Sequence, residues 1–284
     1  MKSAYLIIAH DNFQVLQLLL DALDTKEVDF YLHVDKKVIS IPNLSVNESC
    51  LYILEERIDV RWGDISQIET EFLLWKTAYM KGPYQYYHLI SGTHFPLKPV
   101  GTITSYFNKS ENKNLFVPMY TDEYEIDLKI RRLNICTKSY KHHNHLFQRA
   151  SQFCWLVFHK VQKAFKFKRY KEKCFYKASN WCSLTHEAVA YLISISNDIL
   201  NKYRYTFCGD EFFAITELCQ SDLSNTVEFR EDYLEVDFSY ANPKAYSMAD
   251  FHQLVNSNRI FARKFSDSQI NIVFELYKKN VNGL

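Results

Sequence analysis

An α/β fold built on a mostly parallel sheet with helices packed against it is what this sequence predicts. Three observations carry that expectation. Short apolar runs of strand length alternate with stretches of helical period, the pattern of βαβ units. Polar residues crowd just beyond several of those strands, where open α/β sheets bind ligands. The chain has 284 residues and a 47% hydrophobic share, enough for one large core.

In order, "SAYLIIAHDN" reads as a buried strand, "FQVLQLLLDAL" as a helix and "VDFYLHVDKK" as a second strand. "ESCLYIL" and "RIDVRWG" continue the strand series. "SQIETEFLLWKTAYM" has helical period, and Ser66 with Glu69 three residues on reads as a capping box. "YQYYHLISGTHFPLK" is a further strand running into a Gly/Pro loop. Residues 109–150 look polar and irregular. "ASNWCSLTHEAVAYLISI" reads as a strand or turn leading into a helix. "YTFCGDEFFAITEL" places two acids at the mouth of a buried helix, and residues 248–279 close the chain as two helices.

Composition removes several function classes. A net charge of +1 gives no overall field toward nucleic acid. Neither G-x-G-x-x-G nor G-x-x-x-x-G-K-[ST] occurs, which disfavours a Rossmann dinucleotide enzyme and a P-loop NTPase. G-x-S-x-G is absent too, so nothing supports a serine hydrolase. Seven cysteines with no C-x-x-C spacing read as reduced thiols in a reducing compartment. The first apolar run is too short for a signal peptide or a membrane span. The expectation is therefore a cytoplasmic protein.

The post-strand positions to watch are His10 and Asp11, Asp35, Trp62 and Gly63, and Ser91 to His94. Asp210 and Glu211 suit two roles. Acids at a helix start complement its dipole, and Glu211 is also placed to act as a general base. Arg263 and Lys264 sit between Phe261 and Phe265, and such a pair binds diphosphate well, Arg as a fork and Lys as a point charge. His142, His143 and His145 have no standard zinc-ligand spacing and read as an exposed loop. Between Lys160 and Lys177 eight Lys/Arg face one acid, interleaved with Phe and Tyr. That segment, within 151–177, is either a solvated face or a basic-aromatic surface for an anionic membrane.

Taken in order, "AYLIIAHDN", "YLHVDKK", "DVRWGDISQIETEFLLWKTA", "YYHLISGTHFPLK", "ASNWCSLTHEAVAYL", "CGDEFFAITEL" and "SNRIFARKF" resemble the core-2/I-branching β-1,6-N-acetylglucosaminyltransferases and the related peptide O-xylosyltransferases. The resemblance runs from about residue 4 to 275. It implies a GT-A-type glycosyltransferase fold in a single catalytic domain, 1–284. Residues 1–108 would form the nucleotide-binding half. Residues 109–284 would form the acceptor half and the C-terminal diphosphate-binding segment. It implies inverting transfer of GlcNAc or xylose from a UDP-sugar to an acceptor hydroxyl, with no metal or other cofactor. The base of the family falls on Glu211, with Asp210 in support. The diphosphate cations fall on Lys264 and Arg263, with Lys244 as a further candidate. Asp35, Trp62 and Gly63 would hold the uridine side, His10 would line the same cleft, and Trp181 and Ser183 would approach the donor sugar. Glu211 and Lys264 should face each other across one cleft. The cysteine pattern and the absence of an anchor and stem fit a bacterial cytoplasmic relative, acting in surface polysaccharide or glycoconjugate synthesis and resting, if anywhere, on the inner face of the membrane. Acceptor contacts would come from about 118–135 and 230–245. The alternative is a non-catalytic carbohydrate- or nucleotide-binding scaffold of the same fold.

Overall fold

The structure is a computed structural model that describes residues 2–41, 43–237 and 243–282. The chain opens with β1 (Ser3–Ala9), α1 (Phe13–Leu23), β2 (Val28–Val34), β3 (Cys50–Ile53), α2 (Ser66–Tyr79), β4 (Tyr86–Ser91) and β5 (Phe95–Pro96). Next come α3 (Val100–Asn108), β6 (Asn114–Pro118), α4 (Glu123–Ile126), α5 (His145–Ala164) and β7 (Ala178–Thr185). The last third holds α6 (His186–Ser194), α7 (Ser196–Tyr203), α8 (Phe213–Cys219), β8 (Val227–Phe229), β9 (Leu234–Val236), α9 (Phe251–Asn256), β10 (Phe261–Arg263) and α10 (Ile270–Asn282).

Seven strands form the central sheet in the order β3-β2-β1-β4-β7-β6-β8. The pairs β3/β2, β2/β1, β1/β4 and β6/β8 are parallel, and β7 runs antiparallel to both neighbours. The mixed α/β class with a mostly parallel sheet is thus the one the sequence predicts. All seven residues of β2 are buried, as expected of a strand covered on both faces. Asp29 and His33 on it each find a hydrogen-bond partner, although among the described residues His33 Nδ1 has none. Asp29 accepts hydrogen bonds from Lys2 Nζ (2.9 Å) and the Tyr84 hydroxyl (2.7 Å). His33 Nε2 accepts the Ile58 N–H at 2.9 Å, and burial lowers the imidazole to about 4, so the ring stays neutral and free to accept.

Four local expectations change. Residues 57–63 are not a strand; the run "RIDVRWG" crosses the open end of the sheet as a loop. Ser66 does not cap α2: its hydroxyl accepts the Arg61 N–H (2.9 Å), while Asp64 receives the Ser66 N–H (3.2 Å). The irregular stretch 109–150 contributes β6 to the sheet, although two charge-rich turns hide its short apolar run. The closing segment is helix, strand, helix, because β10 pairs between β5 and β9 in a second, three-stranded sheet.

That small sheet brings the C-terminal segment to the end of the large one. Phe265 N–H donates to Thr93 O at 3.0 Å, just beyond β4. The Asp267 carboxylate accepts the Val15 N–H (3.0 Å), and Asn12 Oδ1 accepts the Asp267 N–H (2.8 Å). The N-terminus of α1 is thereby capped from 252 residues away. All seven cysteines are free thiols. Among the described residues no helix is long and apolar enough to cross a membrane.

Candidate active site

Beyond the carboxyl ends of β1, β2 and β4 lies a cavity of about 460 Å³, within the usual size range of small-molecule sites. Of the residues singled out from sequence, His10, Asp35, Trp62, Trp181, Arg263 and Lys264 line it, together with Asp11, Ser91 and Thr93. Six lysine and arginine side chains line it against two aspartates, so the cavity is locally cationic in a nearly neutral protein.

Each group is positioned by a nearby element. Asp35, one residue past β2, accepts from the Lys37 N–H (2.8 Å) and Nζ (2.6 Å), which fixes its carboxylate at the rim. Trp62 packs edge-on against Phe207 (5.2 Å), with Lys141 Nζ 3.7 Å above its ring. The Arg263 guanidinium lies 5.1 Å over the Trp181 ring. Among the described residues its Nε has no hydrogen-bond partner, and desolvation pulls the group down to about 10, still cationic at neutral pH. Among the described residues neither Arg263 nor Lys264 makes an ion pair. Behind them His94 is fully buried; desolvation first, and then the charge of Arg263, push its pKa well down. His94 Nδ1 accepts the Ser91 N–H at 3.0 Å and pairs with the Ser91 hydroxyl at 2.8 Å. With Nδ1 accepting, the Ser91 hydroxyl donates to it and must accept any further bond.

Asp210 and Glu211 form a short 3₁₀ turn, Gly209–Glu211, behind the Trp62 wall. Asp210 does not cap α8. Its Oδ2 accepts from Gln67 Nε2 at 2.9 Å, while Gln67 Oε1 accepts the Gly63 N–H at 2.6 Å. Gln67 itself lines the cavity, so one amide ties the acidic turn to its wall. Gly63 belongs to this brace rather than to the lining. Its φ is +74°, and a Cβ there would meet Phe207 at 2.8 Å.

The Glu211 carboxylate, about a quarter exposed, is not among the lining groups. Lys129 Nζ lies 3.2 Å and Lys177 Nζ 3.5 Å from its Oε2. The same ammonium groups hold Glu125 at 2.8 and 2.7 Å. Burial would raise Glu125, but the hydrogen bonds from Lys129 and Lys177 outweigh it and bring the carboxyl down to about 2. Lys129 stands on a π-turn, Asp127–Arg131, that continues α4.

Asp210 is a different case. Desolvation, and then the charge of Glu211, push it up to about 7. Burial and the charge of Asp210 likewise raise the enclosed Glu71. A carboxyl that holds its proton more tightly when folded favours the native state at low pH. That advantage fades as pH rises from the ordinary carboxyl value toward 7. Asp210→Asn should therefore flatten the fall in melting temperature between about pH 4 and 7. Thermal scans across that range check it, and parallel curves for the two proteins would refute it.

Besides Gly63, Asp210 and Glu211, two further sequence candidates do not line the cavity. Ser183 is fully buried, its hydroxyl 2.7 Å from His88 Nδ1 and 2.9 Å from the Tyr233 hydroxyl, because β7 carries it below the sheet's open end. Lys244 Nζ donates to Asp250 at 3.0 Å, away from the lining; the neighbouring 238–242 lie outside the described residues. Gln67, Glu71, Lys129, Lys138, Lys141 and Lys177 are groups the sequence does not single out. Lys177 lies in the basic run and Lys129 in the stretch expected to give acceptor contacts, but nothing in the spacing separates them from other lysines. Among the described residues no group of three His, Cys, Asp or Glu side chains gathers to hold a metal.

A family model described as Core-2/I-Branching enzyme matches residues 3–254. Among solved structures, the crystal structure of S. aureus TarS 1-349 is similar at 9% identity and a TM-score of 0.40, covering 99% of this chain and 71% of that one. No curated protein sequence matches.

Proposed function

The chain belongs to the Core-2/I-branching enzyme family of glycosyltransferases, and from that premise we propose that it moves GlcNAc or xylose from a UDP-sugar to an acceptor hydroxyl with inversion. The observation that carries the reading is the pair Arg263 and Lys264, lining a cavity with no carboxylate partner among the described residues. Two adjacent cations at the mouth of a sheet, beside the Trp181 face, suit a diphosphate and a sugar. Asp35, Trp62 and His10 would hold the nucleoside; Gly63 would act through the Gln67 brace.

In the proposed reaction Glu211 takes the proton from the acceptor hydroxyl. The acceptor oxygen then forms the new β-bond to the anomeric carbon as the bond to the UDP oxygen breaks. The electron pair leaves with UDP, where Lys264 and Arg263 stabilise it. Asp210 orients the turn. With protein cations relieving the charge, the reading includes no metal. It also places the enzyme in the cytoplasm, at the inner face of a membrane where surface polysaccharide or glycoconjugate precursors are extended.

A donor panel of UDP-GlcNAc, UDP-xylose, UDP-glucose and UDP-galactose, followed for slow hydrolysis and transfer, tests the reading. One of the first two should turn over, and EDTA should leave the rate unchanged. A dependence on Mn²⁺ would overturn the metal-free part. UDP binding with no turnover on any donor would favour the non-catalytic scaffold instead.

A further inference from the structure

Helix α5 is built inside out. Its buried residues are the polar ones, Ser151, His159 and Gln162. They bond to the segment beneath: Ser151 Oγ donates to Cys136 O (2.5 Å), and Gln162 Nε2 donates to Leu133 O while its Oε1 accepts the Leu133 N–H, both at 2.9 Å. Trp155 Nε1 (2.7 Å) and His159 Nε2 (2.9 Å) both meet Asn134 Oδ1. The Asn134 amide nitrogen is spent on three backbone carbonyls, so both ring nitrogens donate. The apolar side chains point the other way. Phe153, Leu156 and Val157 are exposed at i, i+3 and i+4, Val161 lies one turn on and Phe147 nearer the helix start, and Phe165 and Phe167 follow the helix end. Of the twenty large apolar side chains exposed among the described residues, nine fall between 146 and 176. An ordinary surface helix turns its apolar stripe to the core. This one spends its polar face on the protein and leaves the apolar stripe uncovered.

We propose that α5 docks the protein on an anionic membrane surface, with Phe147, Phe153, Val157 and Val161 entering the interface and Lys160, Lys163 and Lys166 meeting lipid phosphates. The charges select this occupant. Lys160 and Lys163 border the stripe, Lys166 and Lys171 follow it, and none of the four makes an ion pair among the described residues. Glu172 is the one acid between 160 and 177. A second copy seated on this face would set like charges against each other, whereas anionic headgroups neutralise them. A helix of 20 residues lies about 30 Å along such a plane. The segment 136–144 connects it directly to Lys138 and Lys141 in the cavity wall.

The inference refines the membrane location proposed above and does not depend on the donor. Its test is flotation of the full chain with vesicles of phosphatidylcholine alone, or of phosphatidylcholine mixed with phosphatidylglycerol. Binding should require phosphatidylglycerol and weaken in high salt. Phe153→Ser with Val157→Ser, and separately Lys160→Glu with Lys163→Glu, should each cut partitioning about tenfold or more. Both pairs lie outside the cavity, so UDP binding should be unchanged, which separates failure here from failure of the transferase reading. Binding to neutral vesicles alone, no vesicle binding, or no loss in the variants would overturn the proposal. So would a concentration-dependent dimer that Phe153→Ser with Val157→Ser abolishes, since a second copy would then cover the face.

Discussion

Glu211→Gln is expected to lower sugar transfer roughly 10²- to 10⁴-fold, the usual contribution of a positioned general base, while UDP affinity stays within twofold or so of the parent. The amide keeps the size of the carboxylate and can still accept from Lys129 and Lys177, which stand 3.2 and 3.5 Å from the native oxygen. The change therefore removes proton-accepting capacity with little loss of shape. Glu125 remains to pair with both ammonium groups, at 2.8 and 2.7 Å, so the turn should stay folded. Single-turnover transfer and calorimetric UDP titration separate the two effects. If transfer persists at the parent rate, Glu211 is not the base. If UDP binding falls with it, the residue acts through the architecture of the turn.

Lys264→Ala should produce the second large effect, on binding of the diphosphate. A unit charge at about 4 Å from another contributes up to about 4 kcal/mol at an effective dielectric near 20, and exposure to the open cavity reduces that. A loss of roughly ten- to a hundredfold in UDP affinity is the expected range. Affinity for uridine, which carries no phosphate, should be unchanged. Equal losses for UDP and uridine would place Lys264 elsewhere than on the diphosphate. Arg263→Ala should act in the same direction but also strip the cation from the Trp181 face, so its effect should extend to the sugar portion of the donor.

The two variants probe groups whose visibility in the sequence differs. Arg263 and Lys264 stand out in "IFARKF" because adjacent cations framed by phenylalanines are uncommon in a solvated strand. That neither has an acidic partner among the described residues cannot be read from the segment. It depends on β10 pairing with β5 and β9, and on Phe265 bonding to Thr93 beyond β4. Glu211 shows the converse. "CGDEFF" draws attention to two acids, yet their separate environments come from three distant segments. Gln67 reaches Asp210 from α2, Glu71 lies buried on the same helix, and Lys129 and Lys177 arrive from 82 and 34 residues away. Ser183 shows where a local signal misleads: it lies two residues from Trp181, but β7 carries it under the open end of the sheet to His88 and Tyr233.

The sequence alone determined the α/β class, the strand ends that carry His10 and Asp35, and the cationic segment near the C-terminus. These rest on the period of apolar residues and on local turn chemistry, interactions between near neighbours in the chain. The tertiary structure decided which cations share a cavity, which of two adjacent acids is buried, and which way α5 faces. Those outcomes depend on charge pairing and desolvation, set by distances between groups that the chain order leaves far apart, and on a helix orientation that 3.6-residue periodicity cannot assign when the polar face finds backbone partners to bond.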